Sequence, residues 1–220
     1  MGAGCWEQRE KKSVLVGILH VDTTTCAWAA GFRNLHVPGE VQFVAGMPFD
    51  MSRNTICQQA LQHGFEFVFF LDSDVIPPRD TILRLMSHRK PIISGIYCRR
   101  SPPHGIPVMI RDSQWVTQFP PNKLIEVDLV GAGCLLIHRS VLEKLPPQSP
   151  EAGKHWFDWR VDCAGVHPPG RSLSEDFTFC LHSRENGYKV LVDTSINCRH
   201  IGFGEADGEG NWKPLETIPV

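Results

Sequence analysis

The sequence has no C-x-x-C pair among its eight cysteines. That absence excludes zinc ribbons and thioredoxin-type redox sites, both of which depend on the spacing. Several cysteines lie inside apolar runs, as in "GAGCLLIH" and "FTFCLH". A free thiol there behaves as a small buried hydrophobe, so reduced thiols in a cytoplasmic protein are expected. There is no basic run, and the formal net charge is −2. A nucleic acid would therefore have to be gripped by a local patch. Long hydrophobic runs are missing too. "VLVGILHV" has eight residues, well short of the roughly 20 that span a bilayer. "MGAGCWEQREKK" lacks the apolar stretch of a secretory leader, and Trp6 breaks the myristoylation pattern. No transmembrane segment is expected. There are no internal repeats and no low-complexity linker, so residues 1–220 are expected to form one domain. Residues 1–12 read as an N-terminal tail. The glycine-rich residues 203–220 read as a C-terminal tail or lid.

What is present is a strand–helix alternation. "SVLVGILHV" and "EVQFVAG" are short, β-branched and apolar, and read as strands. "DMSRNTICQQALQHG" reads as a helix stopped by Gly64. "FEFVFFL" and "PIISGIYC" read as strands around a helix in "PPRDTILRLMSHRK". A hairpin is expected in "PVMIRDSQWVTQFPPNKLIEVDLV", a strand-to-helix turn in "GAGCLLIHRSVLEKL", and a helix then a strand in "SLSEDFTFCLHSRENGYKVLVD". This order predicts an α/β fold with a mainly parallel sheet.

The chemistry concentrates at "FEFVFFLDSDV". Asp72 and Asp74 follow a buried strand, and ligands of open α/β sheets sit beyond strand carboxyl ends. Two neighbouring carboxylates repel unless a cation lies between them, and hard divalent cations take oxygen ligands. "LDSDV" also fits the D-x-D-x-[T/V] of haloacid-dehalogenase-like phosphatases, in which the first aspartate is a nucleophile. In that class the motif lies on the first strand. Here two strands and a helix precede it.

Four stretches in order resemble the glycosyltransferases of the GT-A fold, of the small family-2-like kind. They are "MSRNTICQQALQHGFEFVFFLDSDV", "VGAGCLLIHRSVLEKL", "SEDFTFCLHSRENGYKVLVD" and "RHIG". They cover Met51 to Gly202. The resemblance implies a Rossmann-like central sheet flanked by helices, with a smaller antiparallel acceptor-side part. It implies transfer of a sugar from a nucleotide-diphosphate donor to an acceptor hydroxyl. Asp72, Asp74 and His200 would hold Mn²⁺ or Mg²⁺, Asp74 being the better direct ligand; an imidazole among carboxylates favours Mn²⁺. Asp72 would alternatively hold the nucleotide ribose. Arg53 would bind the diphosphate or orient Asp72. His20 and Asp22 would lie near the base. Gly131 and Gly133 would line the donor sugar. Asp176 would be the general base of inverting transfer, with Glu175 second, either as base or in an S-x-x-E capping box with Ser172.

In one respect the sequence departs from the pattern. Many relatives carry an aspartate pair after the second strand; here "FVAGMPF" has no acid before Asp50. UDP- and GDP-linked donors both stay open. Trp115, Trp156, Phe157 and Trp159 would either form an acceptor platform or pack the sheet edge. The acceptor would be a glycan, a protein or a phage-type hydroxymethylated DNA base, the last reached by extrusion. Arg99, Arg100, Arg111, Lys123 and Arg171 would form the phosphate-facing patch it needs. An enzyme of this kind suits a bacterial cytoplasm, or a host cytoplasm if viral. The alternatives are the phosphatase, and a non-catalytic module that binds a sugar nucleotide or glycan.

Overall fold

The computed structural model describes residues 13–20, 23–100, 105–160, 173–201, 204–206, 208 and 212–214. Strand β1 (Val14–His20) is followed by α1 (Cys26–Asn34), β2 (Gly39–Ala45) and α2 (Phe49–His63). Then come β3 (Phe67–Asp72), the two-residue β4 (Val75–Ile76), α3 (Thr81–Ser87) and β5 (Ile92–Ile96). Short strands β6 (Met109–Arg111), β7 (Gln114–Trp115), β8 (Leu124–Val127) and β9 (Leu129–Val130) precede β10 (Cys134–His138) and α4 (Arg139–Lys144). Helix α5 (Glu175–Glu185) leads into β11 (Val190–Asn197), β12 (Arg199–Ile201), β13 (Gly204–Ala206) and β14 (Trp212–Pro214).

The central sheet has seven strands in the order β2-β1-β3-β10-β5-β11-β8. Strands β2, β1, β3, β5 and β11 point one way, and β10 and β8 run against them. Two small antiparallel sheets, β14-β13-β12-β4 and β7-β6-β9, stand beside it. This is the expected α/β architecture, a mainly parallel central sheet flanked by helices with smaller antiparallel sheets beside it.

Alternation along the strands explains why they are apolar throughout. Val14, Val16 and Ile18 pack with Trp28 of α1 and with Ile82 and Leu85 of α3 on one face. Leu15 and Leu19 pack with Ile56 and Ala60 of α2 and with Phe177 and Phe179 of α5 on the other. A strand covered on both faces has no polar side to show. Phe69, Phe70 and Leu71 are fully buried, each contributing about 1.5–3 kcal/mol.

Three expectations are corrected. Helix α1 was not anticipated. Parallel β1 and β2 require a crossover, and Thr25 caps this one by accepting from the Trp28 N–H at 3.1 Å. Trp28 then stacks on Phe32 one turn later, with ring centroids 5.1 Å apart. Strand β10 is antiparallel and fills the slot between β3 and β5. The C-terminal region is not simply a tail: residues 204–206 pair as a strand with β12, and residues 212–214 pair in turn with 204–206. Their glycine-rich flanks hide a pairing whose partner lies elsewhere in the chain.

Far from the sheet's ligand-facing edge, Asp193 staples β11 to α3. Its buried carboxylate accepts from the Ser195 N–H at 2.9 Å, from the Ser195 hydroxyl, and from His88 Nε2 at 2.9 Å. Burial opposes its ionisation, but Ser195 and His88 outweigh burial and hold the carboxyl below its usual range. A depressed acid stabilises the fold above its unfolded value, about pH 4, and loses that contribution as pH falls through the native value. Asp193→Asn should therefore cost about 1–3 kcal/mol at pH 7. In urea denaturation the gap to wild type should narrow at pH 3. A gap that stays constant with pH would show that the charge is not what matters.

Candidate functional site

The ends of the co-directional strands gather the chemistry along one edge. Asp72 ends β3, Tyr97 follows β5, Gly133 precedes the reversed β10, and His200 follows β11. Glu175 and Asp176 occupy the first turn of α5, where the helix dipole favours negative charge. Together with Arg53 of α2 these elements line a cleft of about 630 Å³, whose walls include Thr23–Thr25, Phe49, Arg99 and Arg100.

The Asp72–Ser73–Asp74 turn is held by its backbone. The Asp72 carbonyl accepts from Trp28 Nε1 at 3.0 Å, and the Ser73 carbonyl from the Thr24 hydroxyl at 2.9 Å. The Asp74 carbonyl accepts from the Ile201 N–H at 2.8 Å. Three consecutive carbonyls are thus fixed, and the two carboxylates are presented to the cleft.

Arg53 is 3% exposed and bridges two of the acids. Its Nη2 donates to Asp72 Oδ1 at 3.0 Å and its Nε to Glu175 Oε1 at 3.2 Å. The guanidinium lies over the Phe70 ring, 5.0 Å from its centroid. Burial opposes its charge, but Asp72 and Glu175 outweigh burial and hold the guanidinium pKa above its usual value. Nη1 is buried with no hydrogen-bond partner among the described residues. Glu175 is pushed up to about 7 by burial, then by neighbouring Asp176, with Arg53 opposing. Burial is also the main reason that Asp72 is raised, Arg53 again opposing.

Asp74 and His200 are brought together by strand register, since His200 pairs with Val75 across β12 and β4. His200 Nδ1 lies 2.7 Å from the Cys98 carbonyl, which can only accept. Nδ1 therefore carries the proton, and in the neutral ring Nε2 offers a lone pair. Nε2 faces Asp74 Oδ1 at 3.4 Å. Two acceptors facing each other require a cation or a proton between them. Burial resists ionisation of Asp74, but with a proton on His200 Nε2, His200 and Arg100 outweigh it and hold the carboxyl below its usual range. Among the described residues no group of three or more His, Cys, Asp or Glu side chains forms a complete metal cage. Asp74 and His200 fit a divalent cation that takes its remaining ligands from phosphate and water. Asp72 stands beside this pair with one oxygen committed to Arg53.

Asp176 lines the cleft with its carboxylate oriented by three donors. Oδ2 accepts from the Ala132 N–H at 3.2 Å, and Oδ1 from the Phe177 N–H at 2.8 Å and the Ser174 hydroxyl. The helix cap is Ser174, so the expected box between Ser172 and Glu175 is not how α5 begins: Glu175 is turned to Arg53 instead. Ser172 lies outside the described residues.

Gly131 and Gly133, which the resemblance would place along the donor sugar, lie against Tyr97. Neither borders the cleft. A Cβ on Gly131 would fall 2.0 Å from the Tyr97 hydroxyl oxygen, and one on Gly133 2.9 Å from Tyr97 Cζ and 3.0 Å from Asp72 Oδ2. The glycines make room for Tyr97, whose hydroxyl oxygen accepts from the Gly133 N–H at 3.0 Å. Tyr97 was missed by sequence reasoning. Two glycines flanking Ala132 were its signal, as a space that some bulky side chain must fill.

His20 is placed only as the last residue of β1, and Asp22 lies outside the described residues. Asp50, the first acid after β2, is buried and paired with Lys154 Nζ at 2.9 Å. Trp156 and Phe157 are core residues, while Trp159 is exposed. Trp115 lies under Arg99, 5.4 Å from Cζ to the ring centroid. Arg99 and Arg100 belong to the cleft rather than to an outer patch. Arg171 lies outside the described residues.

No family model and no curated relative matches this sequence. Solved structures do. The chain is similar to the protein A197 from STIV, with a TM-score of 0.68 at 15% identity, over 94% of this chain and 96% of that one. A weaker likeness is to GalNAc-T7, whose structure holds UDP, GalNAc and Mn²⁺. There the TM-score is 0.49 at 12% identity, over 88% of this chain and 44% of that one. A third is to a glycosyltransferase involved in glycosylation of the major capsid of PBCV-1, with a TM-score of 0.33 at 16% identity, over 60% of this chain and 62% of that one.

The Tyr97 packing makes a direct prediction. Gly131→Ala should cost about 1–3 kcal/mol as an overpacked site. Tyr97→Phe should cost a similar amount by stranding the Gly133 N–H. Combined, they should cost at least about 1 kcal/mol less than the sum, because losing the hydroxyl opens space for the new methyl. Chemical denaturation of the four proteins measures this, and simple additivity would refute the packing account.

Proposed function

We propose that this chain is a metal-dependent glycosyltransferase, moving a sugar from a nucleoside-diphosphate donor to an acceptor hydroxyl with inversion. The observation that carries the reading is the Asp74–His200 pair, a carboxylate oxygen and an imidazole nitrogen facing each other at 3.4 Å on the wall of the cleft. Asp74 and His200 would hold Mn²⁺ or Mg²⁺, Mn²⁺ being favoured by the imidazole. When bound, such an ion offsets the charge that develops on the departing diphosphate.

The chain's own residues supply the rest. Arg53 is locked to Asp72 and Glu175 and keeps Nη1 buried without a hydrogen-bond partner among the described residues. A donor oxygen would satisfy it, and a buried donor left unpaired costs about 1–3 kcal/mol. Asp72 keeps one oxygen on Arg53, leaving the other for a ribose hydroxyl or the metal. Asp176 takes the acceptor proton. Its hydrogen bonds from Ala132, Ser174 and Phe177 fix the direction of its oxygens. Glu175 secures Arg53 and is not the base. Trp115 packs beside Phe177, the residue after Asp176, with ring centroids 6.2 Å apart, and the acceptor, whether glycan, protein or extruded hydroxymethylated base, is assigned to the Asp176 side of the cleft.

Nucleotide sugars should raise thermal stability only with Mn²⁺ present. A donor at ~100 times its Kd adds about 2.7 kcal/mol, and Asp74→Ala should abolish the effect. Asp176→Asn should keep donor binding and lower turnover by roughly 10²–10⁴-fold. Release of phosphate from simple esters with no response to any nucleotide would replace this reading with the phosphatase. Donor binding without transfer to any acceptor would leave a binding module.

A further inference from the structure

We infer that Arg100 is a built-in counter-cation for Asp74, occupying that carboxylate when the cleft is empty and moving to the diphosphate when donor and metal bind. The inference rests on the reading of Asp74 and His200 as the metal position.

Asp74 has two oxygens, and each already faces a nitrogen. Oδ1 faces His200 Nε2, and Oδ2 is ion-paired with Arg100 Nη1. A metal bound at Asp74 must therefore displace or crowd the Arg100 guanidinium. The two arginines near the D-x-D turn differ in how firmly they are held. Arg53 is 3% exposed, is tied to two carboxylates and lies over Phe70. Arg100 has a 54% exposed side chain, and Asp74 is its one ion-pair partner among the described residues. A long, half-exposed side chain in a single ion pair is held by about 1 kcal/mol or less. Arg53 is fixed and Arg100 is releasable.

The backbone under Arg100 need not move. The Arg99 N–H donates to the Ile106 carbonyl at 2.8 Å, and Cys98 pairs with Pro107. The same short segment carries the Cys98 carbonyl that holds His200 Nδ1. One piece of chain thus orients the neutral ligand and supplies the competing cation. Arg100 lines the cleft, and its planar fork suits a diphosphate at least as well as a carboxylate. A bound diphosphate draws the guanidinium off Asp74 and opens that oxygen to the metal. Metal alone has to displace Arg100 unaided. Donor and metal are therefore coupled through one side chain, in addition to any direct bond between them, and the coupling is reciprocal.

The test is Mn²⁺ binding, read from the free-ion electron paramagnetic resonance signal, with UDP, with GDP and with no nucleotide. Wild type is compared with Arg100→Gln and with Lys189→Gln, an exposed lysine paired with Glu126 outside the cleft. Without nucleotide, Arg100→Gln should bind Mn²⁺ tighter by up to about fivefold, the factor that corresponds to an exposed ion pair of about 1 kcal/mol. The gain in Mn²⁺ affinity on adding the diphosphate should shrink by at least the factor measured without it. Lys189→Gln should match wild type. Equal Mn²⁺ affinities in wild type and Arg100→Gln would overturn the role of Arg100 while leaving the metal site intact. The same tightening in Lys189→Gln would reduce the effect to net charge and overturn it too. No Mn²⁺ binding by any protein, with or without nucleotide, would overturn the metal reading itself.

Discussion

The buried guanidinium of Arg53 is the constraint on which the cleft depends. Asp72, Asp74, Glu175 and Asp176 all line one space of about 630 Å³. Carboxylates so placed repel one another and lose hydration. Arg53 binds one acid from β3 and one from α5, so a single cation joins the β3 side of the cleft to the α5 side. A buried ion pair is weak evidence of net stability, because desolvation offsets much of its attraction. Removing one partner is another matter, since it strands the remaining charges. Arg53 is thus better understood as setting the positions of the acids than as reinforcing the fold.

Around that charge the rest of the site is built by close packing. Tyr97 fits only because residues 131 and 133 have no Cβ. Its ring meets the His200 ring edge-on, with centroids 5.2 Å apart. Asn54, one residue after Arg53, accepts from the Trp156 and Phe157 N–H groups at 2.9 and 3.2 Å and donates to the Phe157 carbonyl at 2.7 Å. The same helix that carries Arg53 therefore anchors the segment that carries Trp156 and Phe157. Rigid support and releasable contacts coexist: the D-x-D turn is fixed at three carbonyls, whereas Arg100 reaches Asp74 along a flexible side chain.

Much of the fold was legible in the chain. Apolar runs of strand length, Gly64 as a helix stop and the carboxylates at the end of β3 all carry local signals. The candidate residues Arg53, Asp72, Asp74, Glu175, Asp176 and His200 do line one cleft. Glycine was the ambiguous signal. Gly131 and Gly133 were read as approach points for a ligand and lie against a tyrosine. The same ambiguity hid the pairing of β13 and β14.

By itself the sequence determined which segments are buried and which acids, bases and imidazoles stand at their ends, because periodicity and capping act over a few residues. Only the tertiary structure decided that β10 runs backwards between β3 and β5, that Arg53 joins Asp72 to Glu175, and that Arg100 rests on Asp74. Those are choices of partner across 19 to 122 residues of chain. They are settled by register, by the space left between packed elements and by the mutual neutralisation of buried charge, none of which a local pattern encodes.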